Sequence, residues 1–253
     1  MSVASNKQAL PERLNERRRP EMIDQKLLDK LKTYDTPTIC NALEIIDPAR
    51  RLTGFTVRPL MCPFPNLPPI VGYAKTASIR STHTNEYNPA RAREQRISYY
   101  EYIASAPRPG IMLIQDLDGH DTGFGAFWGE VMSAVHKGLG LLGVVTDGSI
   151  RDIDQWAPNF QALCGSVMPS HAHVHLADYG RQVRVAGMVV KSGDLVHADR
   201  HGAVTIPEHL AEKIPAACDL LTRKEAVILE MARAPDFDIE KLKVALAKQD
   251  EIH

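Results

Sequence analysis

The segment 129–152, with the sequence GEVMSAVHKGLGLLGVVTDGSIRD, constrains the fold of this chain more than any other. Its first part has apolar residues at helical spacing followed by two glycines, so it predicts a helix over residues 129–137. A short apolar run between glycines predicts a buried strand over residues 141–145. Ser149 then suits the cap of a second helix, with Arg151-Asp152 in its first turn. Helix, strand and helix in this order indicate an α/β fold.

The lengths of these elements bring three charged residues together. A helix of about ten residues rises ~15 Å, and the strand returns a similar distance at ~3.3 Å per residue. Glu130 and Arg151-Asp152 are therefore expected at one sheet edge, beyond the carboxyl ends of strands, where α/β proteins bind ligands. The carboxylates suit Mg²⁺, the arginine suits a substrate carboxylate, and free N–H groups at a helix start suit an anion. The simpler alternative is that Glu130 complements the helix dipole and the other two are surface charges.

The same residues carry a resemblance to a known family. Glu130, twenty residues and then Arg151-Asp152 match the (Asp/Glu)-X20-Arg-Asp signature of class II pyruvate aldolases related to 4-hydroxy-4-methyl-2-oxoglutarate aldolase. The text GVVTDGSIRDID resembles the strand, turn and helix of the wider RraA-like family, which also contains regulators of ribonuclease activity. The resemblance extends from about Leu27 to Pro207 and includes ASAPRPGIMLIQD and VKSGDLVHADRHGAVTIP.

The resemblance implies an α/β fold of the RraA-like type, a swivelling β/β/α domain with flanking helices at both termini. We expect this catalytic domain over residues 23–207. The polar, charged residues 1–22 are expected to form an N-terminal arm, and residues 208–253 a helical extension. A homotrimer, or a dimer of trimers with sites between subunits, is implied as well.

Roles for individual residues follow from the resemblance. Asp152 would ligate Mg²⁺ or Mn²⁺ directly, and Glu130 would act through metal-bound water. Arg151 would fix the carboxylate or keto oxygen of pyruvate, and it would be catalytic together with Glu130. The backbone amides that would bind the pyruvate enolate belong to consecutive residues in and after a glycine-rich loop: Phe127, Trp128, Gly129, Glu130 and Val131.

The implied activity is that of a metal-dependent carbon–carbon lyase. One enolate arises by retro-aldol cleavage of a 4-hydroxy-2-oxo acid or by decarboxylation of oxaloacetate, so one site could show both activities. The alternatives are a non-enzymatic binding protein of the ribonuclease-regulator type and a metal-dependent lyase or isomerase acting on another oxo acid. Glu130 favours the enzyme, because the regulator type is not expected to keep this acidic residue. A Schiff-base mechanism competes, but the nearest lysine, Lys137, lies at the far end of the helix.

The resemblance implies a small-molecule oxo acid as the partner, and composition gives no case for a macromolecular one. The formal net charge is −1, so electrostatics gives no case for nucleic acid or a membrane surface. No apolar run approaches the ~18 residues of a membrane-spanning helix, and the first residues lack the apolar core of a secretory signal. The four cysteines are scattered without CxxC spacing, as expected for reduced thiols in a cytoplasmic protein.

Three further segments carry predictions. Residues 82–96 are polar, predict a loop, and exceed the usual family length, so they are expected to form a lid or substrate-specific loop. His171, His173 and His175 alternate, so in a strand they would point the same way and form a metal site, a pocket wall or a subunit interface. A short β segment is predicted over 52–60. Four more residues are candidates to line the pocket: His83, Asp116, Asp118 and His120.

Overall fold

The computed structural model describes residues 23–252, so the predicted arm over residues 1–22 lies outside the described residues. Seven α-helices are present in the described part of the chain, and short 3-10 turns occur at Pro48–Leu52, Gly119–Asp121 and Ile153–Gln155. The helices are α1 (Gln25–Leu31), α2 (Thr36–Ile46), α3 (Pro89–Ala104), α4 (Glu130–Gly138), α5 (Glu208–Ala211), α6 (Ile214–Ala232) and α7 (Ile239–Asp250). Within residues 23–252, no helix is long and apolar enough to span a membrane.

The strands form one large mixed sheet, one small parallel sheet and one hairpin. In chain order they are β1 (Ile70–Arg80), β2 (Gly110–Asp116), β3 (Ala126–Trp128), β4 (Leu141–Thr146), β5 (Ser149–Ile150), β6 (Gln161–Leu163), β7 (Ser166–Val167), β8 (His175–Tyr179), β9 (Val183–Val185), β10 (Met188–Val190), β11 (Leu195–Asp199) and β12 (Gly202–Ile206).

The large sheet has the order β12-β11-β1-β2-β4-β6, and β8 also pairs with β1. Strands β1, β2, β4 and β6 are parallel, whereas β8, β11 and β12 join by antiparallel pairs. Helix α3 connects β1 to β2, and α4 lies on the connection from β2 to β4, as in βαβ units. The predicted α/β class with helices at both ends is confirmed.

Strand β1 is the centre of the core, because it contributes to three hydrophobic clusters. Tyr73 packs with residues of α1, α2, α6 and the β11–β12 pair. Ala77 and Ile79 pack with α3, α4 and the aromatic residues that follow β5. Ala74 packs with the β9–β10 hairpin. This strand is buried along almost its whole length, including the polar residues Lys75, Thr76 and Ser78.

Two segments differ from their predictions. Residues 52–60 form no strand, because the Thr56 and Val57 amides donate to Ala203 and Ala186, which belong to different parts of the chain. The segment 82–96 is a loop only in its first part. Asn88 caps α3 by accepting a hydrogen bond from the Arg91 amide at 3.0 Å, and the helix begins at the next residue. The polar composition of the first turns concealed this helix start.

Candidate active site

A small parallel sheet sets the position of the charged residues. Strand β5 lies between β3 and β7, with Ile150 opposite Trp128 on one side and opposite Val167 on the other. The Arg151 amide then donates to the Trp128 carbonyl at 2.8 Å. The prediction of a helix capped by Ser149 is therefore wrong. Ile150 is β-branched and fully buried, and pairing on both sides favours the strand over a helix start.

The structure brings Glu130, Arg151 and Asp152 together. Strands β3 and β5 end side by side, and α4 begins directly after β3. The Glu130 amide donates to Asp152 Oδ2 at 3.4 Å, and Arg151 Nε lies 3.5 Å from the same oxygen. The three residues thus meet beyond the carboxyl ends of two parallel strands, as the element lengths predict, although these strands belong to the small sheet.

Gly129 allows this close approach. A Cβ at this position would lie 2.4 Å from Asp152 Oδ2 and 3.3 Å from Arg151 Cγ, which is closer than side chains tolerate at the carboxylate. Its backbone is extended, with φ −161°, so any residue could adopt the conformation. Space for the Asp152 carboxylate, and not backbone freedom, is therefore what glycine provides between β3 and α4.

Asp152 has a left-handed backbone, with φ 54° and ψ 44°. Such a conformation is uncommon for residues other than glycine, although Asp and Asn adopt it more readily than most. The residue lies two positions after the end of β5 and directly before the 3-10 turn Ile153–Gln155. The turn directs the carboxylate toward the start of α4, and strained backbone of this kind concentrates at functional positions.

The side chains differ in what they offer a ligand. Glu130 is exposed, and the Arg151 and Asp152 side chains are 36% and 40% exposed. Val131 is 69% exposed, Phe127 is half-buried, and Trp128 is fully buried. The Trp128 ring therefore cannot touch a ligand at this surface. The remaining anion-binding groups are the backbone amides of the first turn of α4, of which the Glu130 amide already donates to Asp152 Oδ2 at 3.4 Å.

Comparison with known proteins identifies the family. The sequence profile of the RraA-like family, described as Aldolase/RraA, matches residues 36–205. The chain belongs to the RraA-like family. A protein of Marinomonas sp. (strain MWYL1) named "Putative 4-hydroxy-4-methyl-2-oxoglutarate aldolase" is 32% identical over 114 residues, which are 44% of this chain and 68% of that protein.

Solved structures confirm the RraA-like fold. An uncharacterized protein from Pseudomonas syringae pv. tomato str. DC3000 superposes with a TM-score of 0.63 at 20% identity, covering 88% of this chain and 98% of that one. Streptomyces coelicolor RraAS2, described as an unusual member of the RNase ES inhibitor RraA protein family, gives a TM-score of 0.63 at 20% identity and covers 81% and 96%. At this identity the likeness shows the fold alone.

The donor set of this RraA-like site fits a weakly chelated hard cation. Asp152 and Glu130 supply carboxylate oxygens at an open surface, and Mg²⁺ is typically held by one or two carboxylates plus several waters. Among residues 23–252, no group of three or more His, Cys, Asp or Glu side chains could form a fuller cage. The residues therefore suit Mg²⁺ or Mn²⁺ better than a structural zinc site.

Two of the aspartates considered for the pocket are committed to loop structure. Asp118 accepts hydrogen bonds from the Ser81 and Thr82 amides and hydroxyls, which outweigh the effect of burial and lower the pKa of its carboxyl. Asp116 accepts from the Gly123 amide at 2.8 Å, and burial raises its pKa. Burial also raises the pKa of Asp147, which accepts from the Asp116 amide at 2.8 Å. These carboxylates fix the glycine-rich loop over residues 117–125, between β2 and β3.

The three alternating histidines do not share a strand. The Ala172 amide donates to Ser170 Oγ and the Val174 amide to the His171 carbonyl, so the chain turns before β8 begins at His175. All three side chains nevertheless line one cavity. The segment 170–174 thus contains a turn that the alternation alone did not reveal.

Sequence reasoning missed His136, which supports the site from inside. This residue of α4 is fully buried, its Nδ1 donates to the Met132 carbonyl at 2.7 Å, and its Nε2 accepts from the Tyr99 hydroxyl at 2.8 Å. Its ring centroid lies 4.4 Å from that of Trp128. Burial lowers the pKa of His136 to about 4, so the ring is neutral. The signal available in the sequence was its place on the apolar stripe of the predicted helix.

Proposed function

We propose that this RraA-like protein is a divalent-metal-dependent lyase that forms pyruvate from a 4-hydroxy-2-oxo acid, from oxaloacetate, or from both. The observation that carries the proposal is the meeting of Glu130, Arg151 and Asp152 at the start of α4. The name of the Marinomonas relative, which contains 4-hydroxy-4-methyl-2-oxoglutarate aldolase, supports the same reaction class.

Asp152 would hold Mg²⁺ or Mn²⁺ directly, and Glu130 would do so through water. When bound, such a cation supplies Lewis acidity toward the keto oxygen of the substrate. Arg151 lies beside Asp152, so its guanidinium can bind the substrate carboxylate and fix its orientation. The amides of the first turn of α4 can donate to oxygen atoms that gain negative charge.

Proton transfer is the second task of the site. In retro-aldol cleavage, the C4 hydroxyl loses its proton as the C3–C4 bond breaks, giving a carbonyl product and pyruvate enolate, which then gains a proton at C3. In decarboxylation of oxaloacetate, the C3–C4 bond breaks to release CO₂, and the same enolate is protonated. Glu130 is exposed next to Asp152, so its carboxylate can accept the C4 hydroxyl proton and deliver the proton that C3 gains, directly or through water.

A lysine Schiff base is less well supported by the positions of the lysines. Lys137 donates to the Pro158 carbonyl, and it lies near the end of α4 opposite to Glu130. Lys75 is buried, and burial lowers the pKa of its amine, which is a property of Schiff-base lysines. Its Nζ, however, donates to Ser105 and Ala106, which precede the amino end of β2. The candidate site lies beyond carboxyl ends of strands.

We also propose that the protein assembles as a homotrimer or a dimer of trimers, with residues of a second subunit completing the site. Support comes from the small donor set, since among residues 23–252 no third His, Cys, Asp or Glu joins Glu130 and Asp152 in a metal-binding group. Light scattering coupled to size-exclusion chromatography tests the assembly, and a monomer at micromolar concentration would contradict it.

The decisive experiment measures decarboxylation of oxaloacetate and pyruvate release from a 4-hydroxy-2-oxo diacid, with Mg²⁺, with EDTA and with Asp152→Asn. We expect turnover with Mg²⁺ and its loss in the other two cases. Asp154→Asn is the matched control, because it makes the same charge change at an exposed position two residues away. Absence of turnover with every divalent metal, in folded wild-type protein, would favour a binding protein or a lyase or isomerase for another oxo acid.

A further inference from the structure

Two features that the proposed mechanism leaves unused meet at one cavity. The cavity has a volume of about 570 Å³ and lies between α3, the start of α4 and the segment 171–176. One part of its wall comes from the polar segment 82–96, through residues such as Asn85 and Arg96. The alternating histidines form another part. A cavity of this size is typical of small-molecule sites.

The cavity adjoins the candidate active site. Phe127 and Val131 line it, and Val131 directly follows Glu130, whose amide contacts Asp152. At 69% exposure, Val131 presents apolar surface that no other described part of the chain covers. A ligand bound at Asp152 and the start of α4 would therefore have this cavity on the side of Val131.

Much of the lining is aromatic or aliphatic. Tyr99, Tyr100, Met132 and Phe127 contribute to it. The Tyr99 hydroxyl donates to His136 Nε2 at 2.8 Å, and the Tyr100 hydroxyl contacts Met132 Sδ at 3.5 Å. Because both hydroxyls have partners inside the protein, these side chains offer mainly apolar surface. Such a lining suits an apolar or aromatic group.

Arg96 is the one formally charged side chain among the described residues that line the cavity. Arg96 and the three histidines line the cavity, and no Asp or Glu of the described residues does so. His171 Nδ1 donates to the Ala172 carbonyl at 2.7 Å, and His175 Nδ1 donates to the His173 carbonyl at 2.9 Å. A neutral ring that donates through Nδ1 presents Nε2 as an acceptor, so these two histidines offer acceptor atoms to a ligand. The Arg96 guanidinium is the group of the lining that suits a carboxylate.

We propose, resting on the function proposed above, that this cavity binds the part of the substrate beyond the bond that breaks. This part of the oxo acid has an apolar or aromatic body that carries a carboxylate. The 82–96 segment and the histidines are then specificity elements, whereas Arg151, Asp152 and Glu130 act on the pyruvyl part common to all substrates.

Three ligands separate the steps of this proposal. Oxamate presents only a chelating head, N-benzyloxamate adds an aromatic body, and N-(4-carboxybenzyl)oxamate adds a carboxylate to that body. In isothermal titration calorimetry with Mg²⁺, N-benzyloxamate is expected to bind at least fivefold tighter than oxamate. N-(4-carboxybenzyl)oxamate is expected to bind at least threefold tighter than N-benzyloxamate. Equal affinities for the three ligands would overturn the inference.

Variants of the cavity wall then show which residues cause each gain in affinity. Ala92→Trp fills the cavity from the wall that α3 provides, so it is expected to abolish both gains and keep oxamate binding, which also shows that the variant is folded. Arg96→Gln is expected to abolish only the gain from the carboxylate. Arg93→Gln is the matched control, since Arg93 is exposed on the same helix and does not line the cavity. Gains that survive Ala92→Trp would contradict the proposal.

The same titrations distinguish this inference from the proposed function. If oxamate binds and the additions give no gain, the cavity inference fails and the lyase proposal stands. If oxamate does not bind wild-type protein, the proposed metal-dependent function fails. N-(4-carboxybenzyl)acetamide, the tail without the chelating head, then decides: binding that Ala92→Trp removes retains a carboxylate-binding cavity, and no binding overturns it.

Discussion

Helix α4 has two regions with different tasks, although it is only nine residues long. Its first turn faces an open surface, where Glu130 and Val131 are exposed and the Asp152 carboxylate approaches the backbone. Its inner face buries Ser133 and His136. The first turn has groups that can act on a ligand and little packing, while the inner face has dense packing and no group open to solvent.

The difference teaches how the site is held rigid. Ser133 Oγ donates to the Glu130 carbonyl at 2.9 Å and accepts from the Ala157 amide at 3.1 Å, so it ties the helix to the chain after β5. His136 and Trp128 pack beneath the same turn. Activity and stability are therefore expected to separate, because the residues that act on substrate and those that fix the backbone do not overlap. Three substitution experiments test this separation.

The largest expected effect concerns Arg151. Arg151→Gln removes the charge that would bind the substrate carboxylate, and loss of such a group typically costs on the order of a hundredfold in kcat. The melting temperature is expected to change little, because the side chain is partly exposed and its ion pair with Asp152 spans 3.5 Å. Steady-state kinetics and thermal unfolding of the same preparation measure both. A large loss of stability with unchanged kcat would reverse the assignment of the two regions.

The inner face is expected to respond to pH. The pKa of His136 is about 4 in the folded protein because the ring is buried, whereas an unfolded histidine titrates near 6.5. The unfolded state therefore binds the proton first, and stability is lost as pH falls from about 6.5 toward 4. Linkage gives a loss on the order of 2 kcal/mol between pH 7 and pH 5.

Urea unfolding at the two pH values measures this loss. His136→Phe is expected to remove most of it, at some cost in stability at pH 7 because the Tyr99 hydroxyl loses its acceptor. His209→Gln is the control, since that histidine lies on a different helix and lines neither the candidate site nor the cavity. An identical pH dependence of stability in wild type and His136→Phe would show that His136 does not cause the loss of stability at low pH.

The two regions also differ in what the sequence could reveal. The meeting of Glu130 with Arg151-Asp152 was predictable, because one helix and one strand of known rise join them. The error at Ser149 arose because pairing with β3 and β7 is a tertiary effect, and the cap propensity of serine is weak beside a buried Ile150. Local pattern thus sufficed for the position of the site and failed for its backbone conformation.

The cavity beside the site, in contrast, could not be predicted from the sequence. The segments 82–96 and 171–176 are far apart in the chain, and nothing in either predicts contact with the other. Helix α3 begins with a polar turn, so its apolar spacing becomes visible only near Tyr99. The histidines alternate as in a strand, but a turn at Ala172, with φ 46°, precedes β8. Both features required the tertiary structure.

The smallest expected effect compares the two ends of α4. Gly129→Ala places a Cβ 2.4 Å from Asp152 Oδ2, so the carboxylate must move, and we expect roughly a tenfold loss of kcat/KM, the order of effect of a misplaced catalytic group. Gly138→Ala, at the last residue of the helix, meets no atom within 4 Å among the described residues. It is expected to keep activity and to gain roughly 0.5 kcal/mol in stability, because alanine loses less backbone entropy in a helix.

Steady-state kinetics and urea unfolding of both variants measure the changes in activity and in stability. If Gly129→Ala kept full activity, the position of the Asp152 carboxylate would not limit the reaction, and the first turn of α4 would lose its proposed role.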